Sequence, residues 1–249
     1  MIHLRVFDTT TEYNLAKNNL VLPNVSLCKD DLLKPYYNPY DPYNGYEYVD
    51  LGLSVKWAKC NIGATKEEEY GLYFQWGDTQ GYTNSQVGNS EGQKYFGSPD
   101  YKYSNNGGHT AADMTKYNRT DGKTVLEASD DAATANMGGS WRMPTEAEFN
   151  ELITTVNTTS EWTTVNGVYG FKFTSKKSGY TDKYVFFPAA GRCYSGKLDG
   201  KGGYGFVWSS TLKSSDTING KNLYFYNGNK YVRNEERQIG CPVRGVIGE

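Results

Sequence analysis

Few residues in this 249-residue sequence are equipped for chemistry, and their spacing is poor for catalysis. There are two histidines, His3 at the terminus and His109 in a stretch rich in Gly, Ser and Asn. A Ser-His-Asp or Cys-His arrangement would have to draw on one of them, because a hydroxyl or thiol needs a neighbouring base to attack at neutral pH. Neither lies in a supporting motif, and His109 reads as a solvated loop residue. Four cysteines, Cys28, Cys60, Cys193 and Cys241, match no Cys-x-x-Cys metal spacing. Two disulfides can be drawn among them; free buried thiols are the expectation. Asp130-Asp131 offers the oxygen ligands that calcium takes. The same acids suit the N-terminus of a helical turn starting at Ala132, and that reading is preferred. Among 28 acids a glycosidase-type pair could meet in space, but no motif selects one. The expectation is a chain that is not an enzyme, with no catalytic residue, no metal and no cofactor.

A different chemistry is written between residues 209 and 237. Asn222 to Tyr226, Asn227-Gly228 and Asn229 to Arg233 read as a hairpin around an Asn-Gly turn. Side chains alternate across a strand, so if Leu223 and Phe225 face the core, Tyr224 and Tyr226 face outward. Tyr231, Arg233, Asn234 and Arg237 follow on the return strand and loop. These six residues, Tyr224, Tyr226, Tyr231, Arg233, Asn234 and Arg237, are the candidate ligand contacts. Aromatic faces stack on sugar rings, and Asn and Arg bond hydroxyls and anchor interfaces. The competing reading is a plain solvated hairpin in which Tyr serves as a good strand former.

These residues need a scaffold, and the composition suggests one. Aromatic residues make up 15% of the chain, with 22 Tyr and 28 Gly, which suits many short strands, wide loops and a recognition surface. The formal net charge of -2 leaves no basic footprint for nucleic acid and no polybasic patch for a membrane. No run approaches a membrane span, and the first residues lack the apolar core of a signal peptide. Residues 1–45 differ from the rest: a short strand at Leu4–Phe7, a helix over 10–20 entered through Thr9 and Glu12, a small hairpin, then a Tyr-, Asn- and Pro-rich linker. This segment is either a lid on the main domain or a separate docking or oligomerisation element. From Tyr46, strands are expected at Tyr48–Leu53, Val55–Ala58 and Glu69–Trp76. An irregular stretch follows from Thr79 to Asp121, of a length usually associated with function or mobility. Thr145 and Glu148 form a capping box for a helix whose apolar face is Phe149, Leu152 and Ile153. Antiparallel strands then run to a closing strand at Ile239–Val246. The order predicts an α+β domain over 46–249.

Several blocks of that domain carry a resemblance. They are Val49-Asp50-Leu51-Gly52-Leu53-Ser54-Val55-Lys56-Trp57-Ala58, Gln75-Trp76-Gly77, Gly138-Gly139-Ser140-Trp141-Arg142-Met143-Pro144-Thr145, Phe187-Pro188-Ala189-Ala190-Gly191, Val207-Trp208-Ser209-Ser210 and Gly240-Cys241-Pro242-Val243-Arg244. In this order they resemble the Fibrobacter succinogenes major paralogous domain family. The resemblance implies a C-type-lectin-like fold, mostly of short antiparallel strands with one or two helices, related to that of formylglycine-generating enzymes. Trp57, Trp141 and Trp208 are expected in its core. In lectin-like proteins diversified by phage retroelements, the C-terminal region carries the variable binding residues. The Glu-Pro-Asn motif of calcium-dependent sugar binding is absent.

The leader, with Phe7-Asp8, Leu22-Pro23-Asn24-Val25-Ser26 and Tyr36-Tyr37-Asn38-Pro39, is similar to short segments of structural proteins from Bacteroidales phages, including crAss-like phages. This implies a virion protein made in the host cytoplasm: a head fibre, tail fibre or decoration subunit. Residues 1–45 would dock on other virion proteins, and the lectin-like domain would bind a host surface glycan or protein. A homo-oligomer, trimer or dimer, is expected. A virion spacer, a bacterial surface adhesin and an enzyme of formylglycine-generating type are the alternatives.

Overall fold

The computed structural model describes residues 43–248, apart from Gly108. The expected leader strand, helix and hairpin, with His3, Cys28 and the linker up to residue 42, lie outside the described residues. What is described is strand-rich, α+β, and antiparallel in all its paired strands. No helix among the described residues is long and apolar enough to cross a membrane.

The two ends of this body meet. Strand β1 (Tyr48–Val49) pairs with β2 (Val55–Ala58), and β2 pairs on its other side with β13 (Val246–Gly248). The closing strand expected over 239–246 is split. Its first part, β12 (Cys241–Pro242), pairs instead with β3 (Tyr73–Phe74). Between the two halves Arg244 turns inward and donates to the carbonyls of Ala58, Lys59 and Phe186, so the chain passes from one small sheet to the next. The expected strand over Glu69–Trp76 shortens to β3 for a related reason. Glu69 is bent back to accept from the Thr65 amide at 2.7 Å, and Gly71 sits at φ +74°.

Helix α1 (Ala132–Met137) and helix α2 (Glu146–Ile153) form where expected. In α2 the capping box closes both ways: the Glu148 amide donates to Thr145 at 3.3 Å, and the Thr145 amide donates to Glu148 at 2.7 Å. Phe149 and Leu152 are buried against Trp57, Phe171, Phe187, Leu223 and Phe225 in one core cluster. Strands β4 (Thr158–Val165), β5 (Val168–Ser175) and β6 (Tyr184–Pro188) wall this cluster. The β4–β5 turn is the predicted Asn166-Gly167, both residues at positive φ as a type I′ turn requires.

A second cluster gathers Trp76, Trp141 and Trp208 with Tyr117, Met143 and Val243. The three tryptophans expected in the core, Trp57, Trp141 and Trp208, are all buried. The indole of Trp208 donates to Phe74 and that of Trp141 to Tyr43, so each ring also ties distant segments together. The irregular stretch over 79–121 contains short 3-10 turns and is pinned down by four buried side chains, Phe96, Tyr101, Met114 and Tyr117.

The remaining strands position the candidate site. β7 (Arg192–Tyr194) and β8 (Lys197–Asp199) make a two-stranded hairpin. β9 (Tyr204–Leu212), β10 (Asn219–Tyr226) and β11 (Asn229–Glu236) form a sheet in the order β9-β10-β11.

Candidate functional site

The predicted alternation holds in β10. Leu223 and Phe225 are buried on the side covered by α2, and Tyr224 and Tyr226 point to the opposite face. The register puts Tyr224 opposite Tyr231 on β11 and opposite Phe206 on β9, and Tyr226 opposite Tyr204. Cross-strand neighbours on one face sit within ring reach. The rings therefore form a continuous layer. Tyr204 and Tyr224 are stacked at 6.1 Å between centroids, Tyr224 meets Tyr231 edge-on at 5.4 Å, and Tyr224 lies 4.9 Å from Phe206. Tyr204 and Tyr231 remain 44% and 41% exposed, enough to present ring faces to a ligand. The backing is tight. A Cβ on Gly205 would lie 1.9 Å from the Phe225 ring, so only glycine lets that ring cross under β9.

Arg233 lies over the Tyr224 ring at 4.6 Å and near Phe206 at 5.3 Å. Arg192 of β7 reaches the same Phe206 ring at 5.2 Å. Both guanidiniums donate to one oxygen of the buried Glu235, Arg192 at 2.9 Å and Arg233 at 2.5 Å. Burial raises the Tyr224 phenol above its ordinary value, with Tyr231 adding to the rise and Arg233 opposing it. That hydroxyl stays protonated at neutral pH and can both donate and accept.

Of the six candidate contacts, four share this face: Tyr224, Tyr226, Tyr231 and Arg233. The other two need correction. Asn234 is exposed, but it is one residue out of phase with Arg233, so the pleat puts it on the α2 side of the sheet. Arg237 is 1% exposed and belongs to the core. Its Nε donates to the Tyr101 hydroxyl at 2.7 Å, and its other nitrogens donate to the carbonyls of Lys116, Tyr117 and Thr217. The strand ends at Glu236, and the turn beyond it carries Arg237 under the long loop, where no surface ligand can reach it. Conversely, Tyr204, Phe206, Arg192 and Glu235 belong to the face and were not among the sequence candidates. The Tyr204-x-Phe206-x-Trp208 alternation was a readable signal for the first two. Nothing local marks Arg192, which arrives from a different hairpin.

The other chemical candidates are also placed. Asp131 accepts from the amides of Thr134 at 2.9 Å and Met143 at 2.8 Å, as the preferred capping role requires. Asp130 is engaged by Lys116 at 2.5 Å, Tyr117 at 2.6 Å and Lys102 at 3.3 Å. Calcium at Asp130-Asp131 would have to displace two ammonium groups, and no cluster of metal-ligating side chains occurs among the described residues. Cys60, Cys193 and Cys241 are free thiols. Burial pushes Cys193 up to about 12 and Cys241 well above the usual thiol range. Both stay protonated at neutral pH and are poor nucleophiles.

The structure also brings together three residues that resemble a hydrolytic triad. Ser98 Oγ is 3.3 Å from His109 Nδ1, and Glu236 Oε1 is 3.3 Å from Nε2. However, Nδ1 also faces Gln238 Oε1 at 3.0 Å, and that amide is oriented by its own N–H, which donates to Glu236 at 2.8 Å. Nδ1 is thus shared between the Gln238 amide and the Ser98 hydroxyl, and the shorter contact is to the amide.

No family model matches the chain, and neither a curated protein nor a solved structure matches it significantly.

Proposed function

We propose that the chain is a phage virion subunit, part of a head or tail fibre or a decoration, whose lectin-like body displays the tyrosine face to bind the bacterial host surface. Residues 1–45 dock it on other virion proteins, and the subunit works as a homo-oligomer, so that weak single sites gain by multivalency. The lectin-like reading draws support from the meeting of the first and last strands, from the buried tryptophans of the matching blocks and from the two helices. The observation that carries the binding function is the layer of Tyr204, Tyr224, Tyr226 and Tyr231 on one face of a three-stranded sheet, its other side packed against a core. Rigid, half-exposed aromatic rings cost little entropy to engage a ligand.

The test is adsorption of the fluorescently labelled full chain to a panel of Bacteroidales cells. Binding is expected to saturate and to fall with Tyr204→Ala plus Tyr231→Ala. Binding that survives the double variant, or no binding to any strain, rules the face out as the receptor site. A purely structural spacer would then be the better reading, and the place of the chain in a particle map would decide it.

A further inference from the structure

We propose that the ligand of the tyrosine face is an acidic saccharide whose carboxylate is held by Arg192 and Arg233. This rests on the reading of that face as the binding site and names what it recognises. The two guanidiniums flank Phe206, both only about a quarter exposed (25% and 27%), and they share a single oxygen of Glu235. One buried carboxylate thus serves two cations. The Nε atom of each arginine is buried and has no hydrogen-bond partner. The next acid, Asp199, stands 3.6 Å from Arg192 Nε, but its side chain is 65% exposed, and it lines an open cleft of about 710 Å³ beside Tyr95 and Tyr194. An ion pair so open to water contributes little. Asp199 leaves the cluster formally neutral, two guanidiniums to two carboxylates, but it stands in the open, where a ligand carboxylate can displace it at little cost.

A ligand carboxylate would give the two arginines the close second partner that the open Asp199 does not. It is planar, it meets the guanidinium fork with two oxygens, and such charge-assisted bonds are the stronger kind. The sugar ring carrying it would lie against Tyr224 and Tyr231, adjacent to Arg233. A neutral saccharide could use the rings but would bring no charge to the guanidiniums.

The experiment uses the full chain on immobilised alginate, polygalacturonate, hyaluronan and polysialate, each beside its carboxyl-reduced neutral form. At least one acid polymer is expected to bind about tenfold or more tightly than its reduced form, since charge-assisted bonds are roughly twice as strong as neutral ones. Binding should weaken between about 50 and about 300 mM sodium chloride, as screening shortens the reach of charge. Arg233→Lys and Arg192→Lys keep the charge, leave Glu235 paired and remove the fork. Each should lower the ratio of acid-form to reduced-form binding about tenfold. Equal binding of both forms, abolished by Tyr231→Ala, would overturn the acidic ligand and leave the tyrosine face standing. No binding to any acid polymer would also overturn it, while cell adsorption judges the face separately.

Discussion

Strand β11 and the turn that follows it place arginines four residues apart in opposite settings. At Arg233 the guanidinium lies on an open aromatic face, shares one carboxylate with Arg192 and keeps a buried Nε without a partner. At Arg237, just past the strand, the guanidinium is enclosed. It lies 4.9 Å from the Trp76 ring, and a phenol and three carbonyls take its protons. The enclosing loop is held in turn by Asp130, which receives Lys116, Lys102 and the Tyr117 hydroxyl. A buried cation that makes four hydrogen bonds to the protein holds structure together, whereas one that shares a single carboxylate beside a surface is free to recognise something. The residue type is the same, and only the completeness of its partners separates the two roles.

The sharpest way to break this contrast is to remove each arginine. Arg237→Ala strips four acceptors of their donor inside the core and should cost more than about 3 kcal/mol in urea unfolding, near the upper end for single substitutions. Arg233→Ala leaves Glu235 its Arg192 partner and should cost about 1 kcal/mol or less. Similar costs for the two would erase the distinction.

Acid unfolding tests the closed end by another route. Burial alone would raise the Asp130 carboxyl, but hydrogen bonds from Lys116, Tyr103 and Tyr117 and the charge of Lys102 outweigh it and hold the group well below the usual carboxylate range. A depressed acid stabilises the fold fully above its unfolded value, and this contribution is lost as the pH falls toward the folded one. The stability gap between the parent and Asp130→Asn should thus be constant above about pH 5 and shrink below about pH 4. Asp131, raised by burial, has the opposite sign but is common to both proteins and cancels in the difference. A gap that persists into acid would show that Asp130 acts through packing rather than charge.

At the open end, Tyr231→Ala should leave stability within about 0.5 kcal/mol, as for exposed sites generally. It should weaken cell binding about tenfold if the ring is a binding anchor. Tyr231→Phe separates ring from hydroxyl: retained binding points to stacking, lost binding to a hydrogen bond. The smallest effect is expected at the thiols. In native protein, iodoacetamide followed by peptide mapping should leave Cys193 and Cys241 unmodified, because both are buried and protonated, while Cys60 reacts first of the three. Rapid labelling of Cys193 would instead point to an accessible reactive thiol.

Much of the local structure was legible beforehand. The Thr145–Glu148 box, the Phe149/Leu152 face, both Asn-Gly hairpins and the in-out alternation of Leu223 to Tyr226 are local patterns governed by backbone geometry and period. Apart from a local turn at Thr65–Glu69, what failed depended on distant partners. The strand expected at Glu69 was cut short by a turn, and the one expected at 239–246 was divided by the inward bend at Arg244. Arg237 and Asn234 looked like their neighbour Arg233, yet one is sealed under the long loop and the other lies out of phase on the far side of the sheet.

The sequence by itself determined the capped helix, the two Asn-Gly turns and which side chains of a strand share a face, because neighbouring residues and side-chain period carry that information. Only the tertiary structure decided which polar groups are complete. Arg192 reaches Glu235 from another hairpin, and Tyr101 reaches Arg237 across 136 residues of chain. Hydrogen-bond partners are set by proximity in space, which no local pattern encodes.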